Sequence, residues 1–168
     1  MIDYEDIING INKLVQAGIV DPQYIGVWGW SYGGFMSSWM TTQTNRFKAV
    51  VTAAGISDWI SLVGTSVDDT AKYFFGSEFW ESQQLWLDRS PIFRIQFIKT
   101  PILIQSGDED HEVPISQSFE LYHALKATNK PVKMLIYPSK VHGLRGDPEI
   151  LLKATEDMQN WFDYYMKK

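Results

Sequence analysis

The pentapeptide Gly29-Trp30-Ser31-Tyr32-Gly33 lies between an apolar run, Tyr24-Ile25-Gly26-Val27-Trp28, and a helix-compatible stretch, Phe35-Met36-Ser37-Ser38-Trp39-Met40. That succession reads as a strand, a sharp turn and a helix, with a serine at the apex. A serine forced onto such a turn presents its hydroxyl at a helix N-terminus, and glycines two residues to either side let strand and helix approach without Cβ clashes. The chain is therefore a candidate serine hydrolase, and the rest of the sequence must supply the other parts of that machinery.

The surrounding pattern supports a parallel sheet. Ile7, Ile8, Ile11, Leu14 and Val15 recur at helical spacing ahead of Gly18 and Asp21-Pro22, so residues 3–17 read as an amphipathic helix. Ile25–Trp28, Ala49–Ala53, Ile102–Gln105 and Val132–Tyr137 are short apolar runs separated by helical patterns. Runs of that kind predict an α/β fold with a mostly parallel sheet covered by helices on both faces. A last helix, over about 148–166, begins at Asp147-Pro148-Glu149. The aromatic-rich connection from Ser57 to Lys99 is too long to be an ordered loop without structure, so short helices are expected within it. With 168 residues, 45% of them hydrophobic, the chain reads as one domain over 1–168 with one core.

Charge and composition exclude several function classes. A net charge of −5 without any Lys/Arg cluster argues against nucleic acid as a partner. No cysteine is present, which removes disulfides and thiolate metal sites and suits a reducing cytoplasm, the expected location. The start, Met1-Ile2-Asp3-Tyr4-Glu5-Asp6, has none of the character of a signal peptide, and no apolar run reaches the length of a membrane span.

Acyl transfer by serine also needs a histidine to take the proton and an acid to orient that histidine. After Ile102–Gln105 comes Ser106-Gly107-Asp108-Glu109-Asp110-His111, and after Val132–Tyr137 comes Pro138-Ser139-Lys140-Val141-His142-Gly143. An acid and a histidine thus follow C-terminal strand ends, which in a parallel sheet share one side, and the order Ser, acid, His is that of an α/β-hydrolase. Asp108, Glu109 and Asp110 all remain candidates for the acid. His123 falls in a helical pattern and reads as a surface or packing residue, and His111 as a loop residue. A dinucleotide turn is the nearest rival, with Gly29-x-Ser31-x-x-Gly34 and Asp58 as its acid, but the middle glycine is missing and Trp30 and Tyr32 crowd the approach. Asp110, His111 and His142 lack metal-ligand spacing, so neither a metal nor another cofactor is expected.

Several stretches carry a resemblance: Asp3-Tyr4-Glu5-Asp6-Ile7, Gly29-Trp30-Ser31-Tyr32-Gly33-Gly34, Lys99-Thr100-Pro101, Gly107-Asp108-Glu109-Asp110 with Val113-Pro114, and His142-Gly143. Together they resemble the C-terminal catalytic region of the prolyl oligopeptidase family, in particular its acylaminoacyl-peptidase and dipeptidyl-peptidase-like branches, along essentially the whole chain. The resemblance implies Ser31 as nucleophile, Asp110 as orienting acid and His142 as general acid/base. It also implies an apolar acyl pocket lined by Tyr32, Ile56, Trp59, Leu62 and Val113, with the backbone N–H of Tyr32 as an oxyanion donor.

The departure from the family pattern is at the front. Family members carry a β-propeller and further hydrolase strands before the segment corresponding to residue 1, including the source of the second oxyanion donor. An N-terminally shortened hydrolase fold is therefore expected, and loss of that donor would cost about 10²–10³ in rate. The expected function is hydrolysis of a peptide or small ester through an acyl-enzyme. The alternatives are a small carboxylesterase acting on short apolar acyl groups, or an impaired hydrolase-fold fragment serving as an interaction module. With no upstream strand, the strand Ile25–Trp28 would be an open edge, its surface around Ile25, Val27 and Trp28 exposed, and a homodimer through that edge is expected.

Overall fold

All four apolar runs become strands of one parallel sheet in the computed structural model, which describes residues 1–138, 140–144 and 147–167. The strands β1 (Gly26–Trp30), β2 (Ala49–Ala53), β3 (Ile102–Gly107) and β4 (Val132–Tyr137) lie in the order β1-β2-β3-β4. Their register puts Trp30 opposite Ala53, Ala53 opposite Gln105 and Gln105 opposite Leu135, so the C-terminal ends meet along one rim. Every residue of β2 and β3 is buried, as expected of strands covered on both faces.

Alternating side chains supply the two faces. Val27, Val50, Ile102, Ile104, Val132 and Met134 point into the larger core, packed against Phe35, Met36 and Trp39 of α2 (Tyr32–Gln43) and Leu121 and Leu125 of α6 (Ile115–Ala127). Trp30, Leu135 and Tyr137 face the other way, onto Ile150 and Ala154 of α7 (Pro148–Met166). At the start of α7, Asp147 accepts hydrogen bonds from the backbone N–H groups of Glu149 and Ile150 through its side chain, and Pro148 takes the first helical position. The first helix, α1 (Ile2–Gln16), packs Tyr4, Ile8, Ile11 and Val15 onto the larger core. The aromatic connection does hold short helices: α3 (Trp59–Thr65), α4 (Ala71–Phe75), α5 (Gln83–Arg89) and a 3₁₀ helix over Pro91–Phe97.

Two expectations need correction at β1. The strand begins one residue later and runs two residues further than Ile25–Trp28, which carries it directly into Ser31. Among the described residues β1 pairs only with β2, so it is an edge strand, but its surface is only partly open. Ile25 is buried and Val27 half-buried in the larger core; Trp28, 53% exposed, is the residue that faces solvent.

Candidate active site

Ser31 occupies the elbow between β1 and α2 with φ 57° and ψ −121°, a left-handed conformation that costs a non-glycine residue about 1–3 kcal/mol. The surroundings enforce it. The Ser31 N–H donates to the Ala53 carbonyl at 2.9 Å, and the Ser31 carbonyl accepts from the Phe35 N–H at 2.9 Å to open α2. A Cβ on Gly29 would fall on the Gly33 carbonyl group, and one on Gly34 would lie 2.5 Å from the Ala53 carbonyl oxygen. Gly33 itself has open space where a Cβ would go, so the second glycine that close packing requires is Gly34, not Gly33.

The acid and histidine loops are laced together at the ends of β3 and β4. Asp108 N–H donates to the Tyr137 carbonyl at 3.3 Å, and Glu109 N–H to the Lys140 carbonyl at 3.0 Å. Asp108 and Glu109 turn outward, while Asp110 is 3% exposed. Its Oδ1 accepts from the backbone N–H groups of Glu112 (3.0 Å) and Val113 (2.9 Å), and its Oδ2 lies 2.7 Å from His142 Nδ1. Of the three candidate acids, Asp110 is the one that is buried and meets His142. His142 opens a short 3₁₀ turn, His142–Leu144, and its ring meets Trp30, the residue before Ser31, edge-on at 6.2 Å. His111 is exposed on the loop, and His123 is exposed on α6, stacked on Phe119 at 6.1 Å.

Beside Ser31 is a pocket of about 100 Å³. Tyr32, Ile56, Trp59, Leu62 and Val113, the five residues expected to form an acyl pocket, all line it. The sequence reading missed its charges, because Asp68 and Glu112 also border it. The Glu112 carboxylate stands 4.0 Å from His142 Nε2, the nitrogen not engaged by Asp110. Both acids come from loops whose course no local motif encodes.

The pocket wall is fixed from behind by a buried network that the sequence also did not reveal. Gln117 of α6 accepts through Oε1 from the backbone N–H groups of Ser57 and Asp58, each at 2.9 Å, and donates from Nε2 to Ser61 Oγ at 2.7 Å. Glu120, one turn on, accepts from Ser57 Oγ and Ser61 Oγ at 3.1 Å each, and burial holds its carboxyl above the ordinary glutamate range. The segment carrying Ile56, Trp59 and Leu62 is thereby tied to the helix that follows the Asp110 loop.

Comparison with known proteins agrees with this geometry. A profile of the prolyl oligopeptidase family matches residues 2–168. The uncharacterized peptidase YuxL of Bacillus subtilis is 38% identical over 98% of this chain and 26% of its own length. The acylamino-acid-releasing enzyme of Homo sapiens is 33% identical over 84% of this chain and 21% of its own. The solved acylaminoacyl peptidase of Pyrococcus horikoshii superposes with a TM-score of 0.90 at 32% identity, covering 99% of this chain and 28% of that one. The chain thus spans about a quarter of the length of the relatives it matches. A match along its whole length, in sequence and in fold, establishes that this chain belongs to the prolyl oligopeptidase family.

Proposed function

We propose that this chain carries the catalytic site of a serine hydrolase that cleaves peptide or ester bonds through an acyl-enzyme, with Ser31, His142 and Asp110 as its triad. The observation that carries this reading is the buried Asp110–His142 pair at 2.7 Å, set on the same sheet rim as a serine strained on a strand–helix elbow. Asp110, fixed by two backbone donors, accepts from Nδ1 of His142 and so leaves Nε2 unprotonated to act as base. His142 takes the Ser31 proton as Oγ attacks the carbonyl carbon, and the oxyanion accepts from the Tyr32 N–H in the unpaired first turn of α2. His142 then protonates the leaving group, and a water that it deprotonates releases the acid and regenerates Ser31.

The acyl group enters the pocket formed by Ile56, Trp59, Leu62 and Val113. A volume of about 100 Å³ favours a short apolar group, which supports a small-ester activity beside the peptidase activity of the family. Asp68 and Glu112 add charge to the expected apolar pocket, so anionic acyl groups meet like charge there. The proposal places the protein in the cytoplasm, in keeping with its lack of cysteine, and as a homodimer paired through β1. No helix among the described residues is long and apolar enough to cross a membrane.

The direct test is labelling with a fluorophosphonate, read by intact mass and peptide mapping. One adduct on Ser31, absent in His142→Ala, is expected. An unlabelled protein, or an adduct on another serine, refutes the assignment.

A further inference from the structure

The acyl pocket shares a wall with a second cavity. That cavity, about 380 Å³, is bordered by Phe35, Phe75, Leu85, Asp3 and Arg89 among others, and three residues line both spaces: Tyr32, Trp59 and Phe74. The smaller space amounts to about three water volumes. It lies below the roughly 300–1,000 Å³ of ordinary small-ligand sites, whereas the larger space falls inside that range. A single partition therefore separates room for a short acyl group from room for a long one.

The three rings of the partition are held unequally. Trp59 is 2% exposed, its backbone N–H donates to Ser90 Oγ at 2.9 Å, and its ring packs edge-on against Phe35 at 4.9 Å and Phe75 at 5.4 Å. Tyr32 is tied at its far end, where its hydroxyl donates to Asp3 Oδ2 at 2.6 Å. Phe74 is 58% exposed and sits on the five-residue helix α4. It is positioned by stacking on Tyr32 at 5.1 Å and by a tilted contact with Trp59 at 5.6 Å. Removing Trp59 or Tyr32 would disturb the core or the elbow. Removing the Phe74 ring would open the wall and leave the core packing in place.

We propose that Phe74 is a specificity-determining residue that closes the acyl pocket against the larger cavity and so sets the longest acyl chain the site accepts. The occupant of the joined space is an extended apolar acyl chain, whose methylenes would lie along Trp59, Phe75 and Leu85 while its carbonyl stays at Ser31. This inference rests on the reading of Ser31 as nucleophile.

The test compares the unaltered protein, Phe74→Ala and the double variant Phe74→Ala/Leu85→Trp on p-nitrophenyl acetate and p-nitrophenyl decanoate. The ratio of kcat/KM for decanoyl over acetyl should rise about tenfold or more in Phe74→Ala, since each methylene accommodated in an apolar pocket is worth a sizeable factor. It should fall back in the double variant, because Leu85 borders only the larger cavity and tryptophan would fill it. Titration with decanoate, followed by tryptophan fluorescence, reads the same joined space without needing a nucleophile and should tighten about tenfold in Phe74→Ala. Failure of fluorophosphonate to label Ser31 in all three proteins overturns the nucleophile reading and leaves the decanoate titration to decide on the partition. Ser31 labelling with an unchanged chain-length ratio, or decanoate binding that does not respond to Phe74→Ala, overturns the role of Phe74.

Discussion

Replacing Asp110 with asparagine should silence the enzyme through the tautomer of His142 and not through loss of fold. The two oxygens of Asp110 do different work: Oδ1 accepts from the Glu112 and Val113 N–H groups, and Oδ2 faces His142 Nδ1. An asparagine has one acceptor and one donor to place in those two positions. Turning its NH₂ toward the backbone would set donor against two backbone donors, one of them buried, at about 1–3 kcal/mol for a buried one left unmade. Turning the NH₂ toward His142 costs far less, so that orientation wins. The imidazole must then accept at Nδ1 and carry its proton on Nε2, the nitrogen that has to act as base. A loss of about 10³–10⁴ in kcat follows. The backbone bonds survive without their charge assistance, a deficit of about 1 kcal/mol each, which for a chain of this length lowers Tm by about 4–8 °C. The assay is p-nitrophenyl acetate hydrolysis normalised to folded protein, alongside a circular dichroism melt. A variant within about tenfold of the unaltered protein would refute the reasoning, because that residue activity is incompatible with a wrong tautomer.

Ser31→Ala and His142→Ala should each abolish turnover, with losses at least as large as that of Asp110→Asn, while His111→Ala and His123→Ala remain mild; silencing by His123→Ala in p-nitrophenyl acetate kinetics would remove His142 as the base. Burial raises the carboxyl of Glu120 despite lowering hydrogen bonds from Ser61 and Ser57, so the folded state binds more protons than the unfolded one just above the ordinary glutamate range, and stability falls as pH rises through that window. Glu120→Gln keeps an acceptor for both hydroxyls and should flatten this dependence; denaturant midpoints measured across about pH 4 to 7 that keep the same slope in both proteins would contradict it. Light scattering coupled to size exclusion should give a dimer, since among the described residues β1 pairs on one side only and Trp28 is exposed beside it, whereas a 19.3 kDa species with a cooperative melt would refute pairing through this edge.

What could be read from the sequence follows from the range of the forces involved. The four strands were legible because burial on both faces leaves continuous apolar runs, and the elbow because glycines and a serine must stand at fixed offsets along the chain. Even there the required glycine was mistaken by one position, since Gly33 and Gly34 are adjacent in sequence and only the approach of Ala53 and Gly55 tells them apart. Asp108, Glu109 and Asp110 are chemically alike on one loop. What separates them is the lacing of that loop to Lys140 and Tyr137, a contact across some thirty residues that leaves Asp110 alone facing inward. The resemblance to a family points to Asp110, and its burial and 2.7 Å approach to His142, which support that choice, come from the fold.

The pocket shows the same division more sharply. The five residues of its apolar wall do line one pocket, yet the selectivity proposed for it depends on three things that no local pattern carries. Gln117 reaches back sixty residues to fix the wall at Ser57, Asp58 contributes an N–H to the same amide, and Asp68, Glu112 and Phe74 arrive from separate loops and a five-residue helix. The proposed catalytic groups follow the ends of β1, β3 and β4, where periodicity and turn chemistry bring them to one rim without choosing among Asp108, Glu109 and Asp110. The groups proposed to decide which acyl chain fits sit on connections, where only packing does. Under the proposed triad the reaction class is written along the rim of the sheet, and the acyl preference in the segment between β2 and β3, the loop after Asp110 and the helix that braces them.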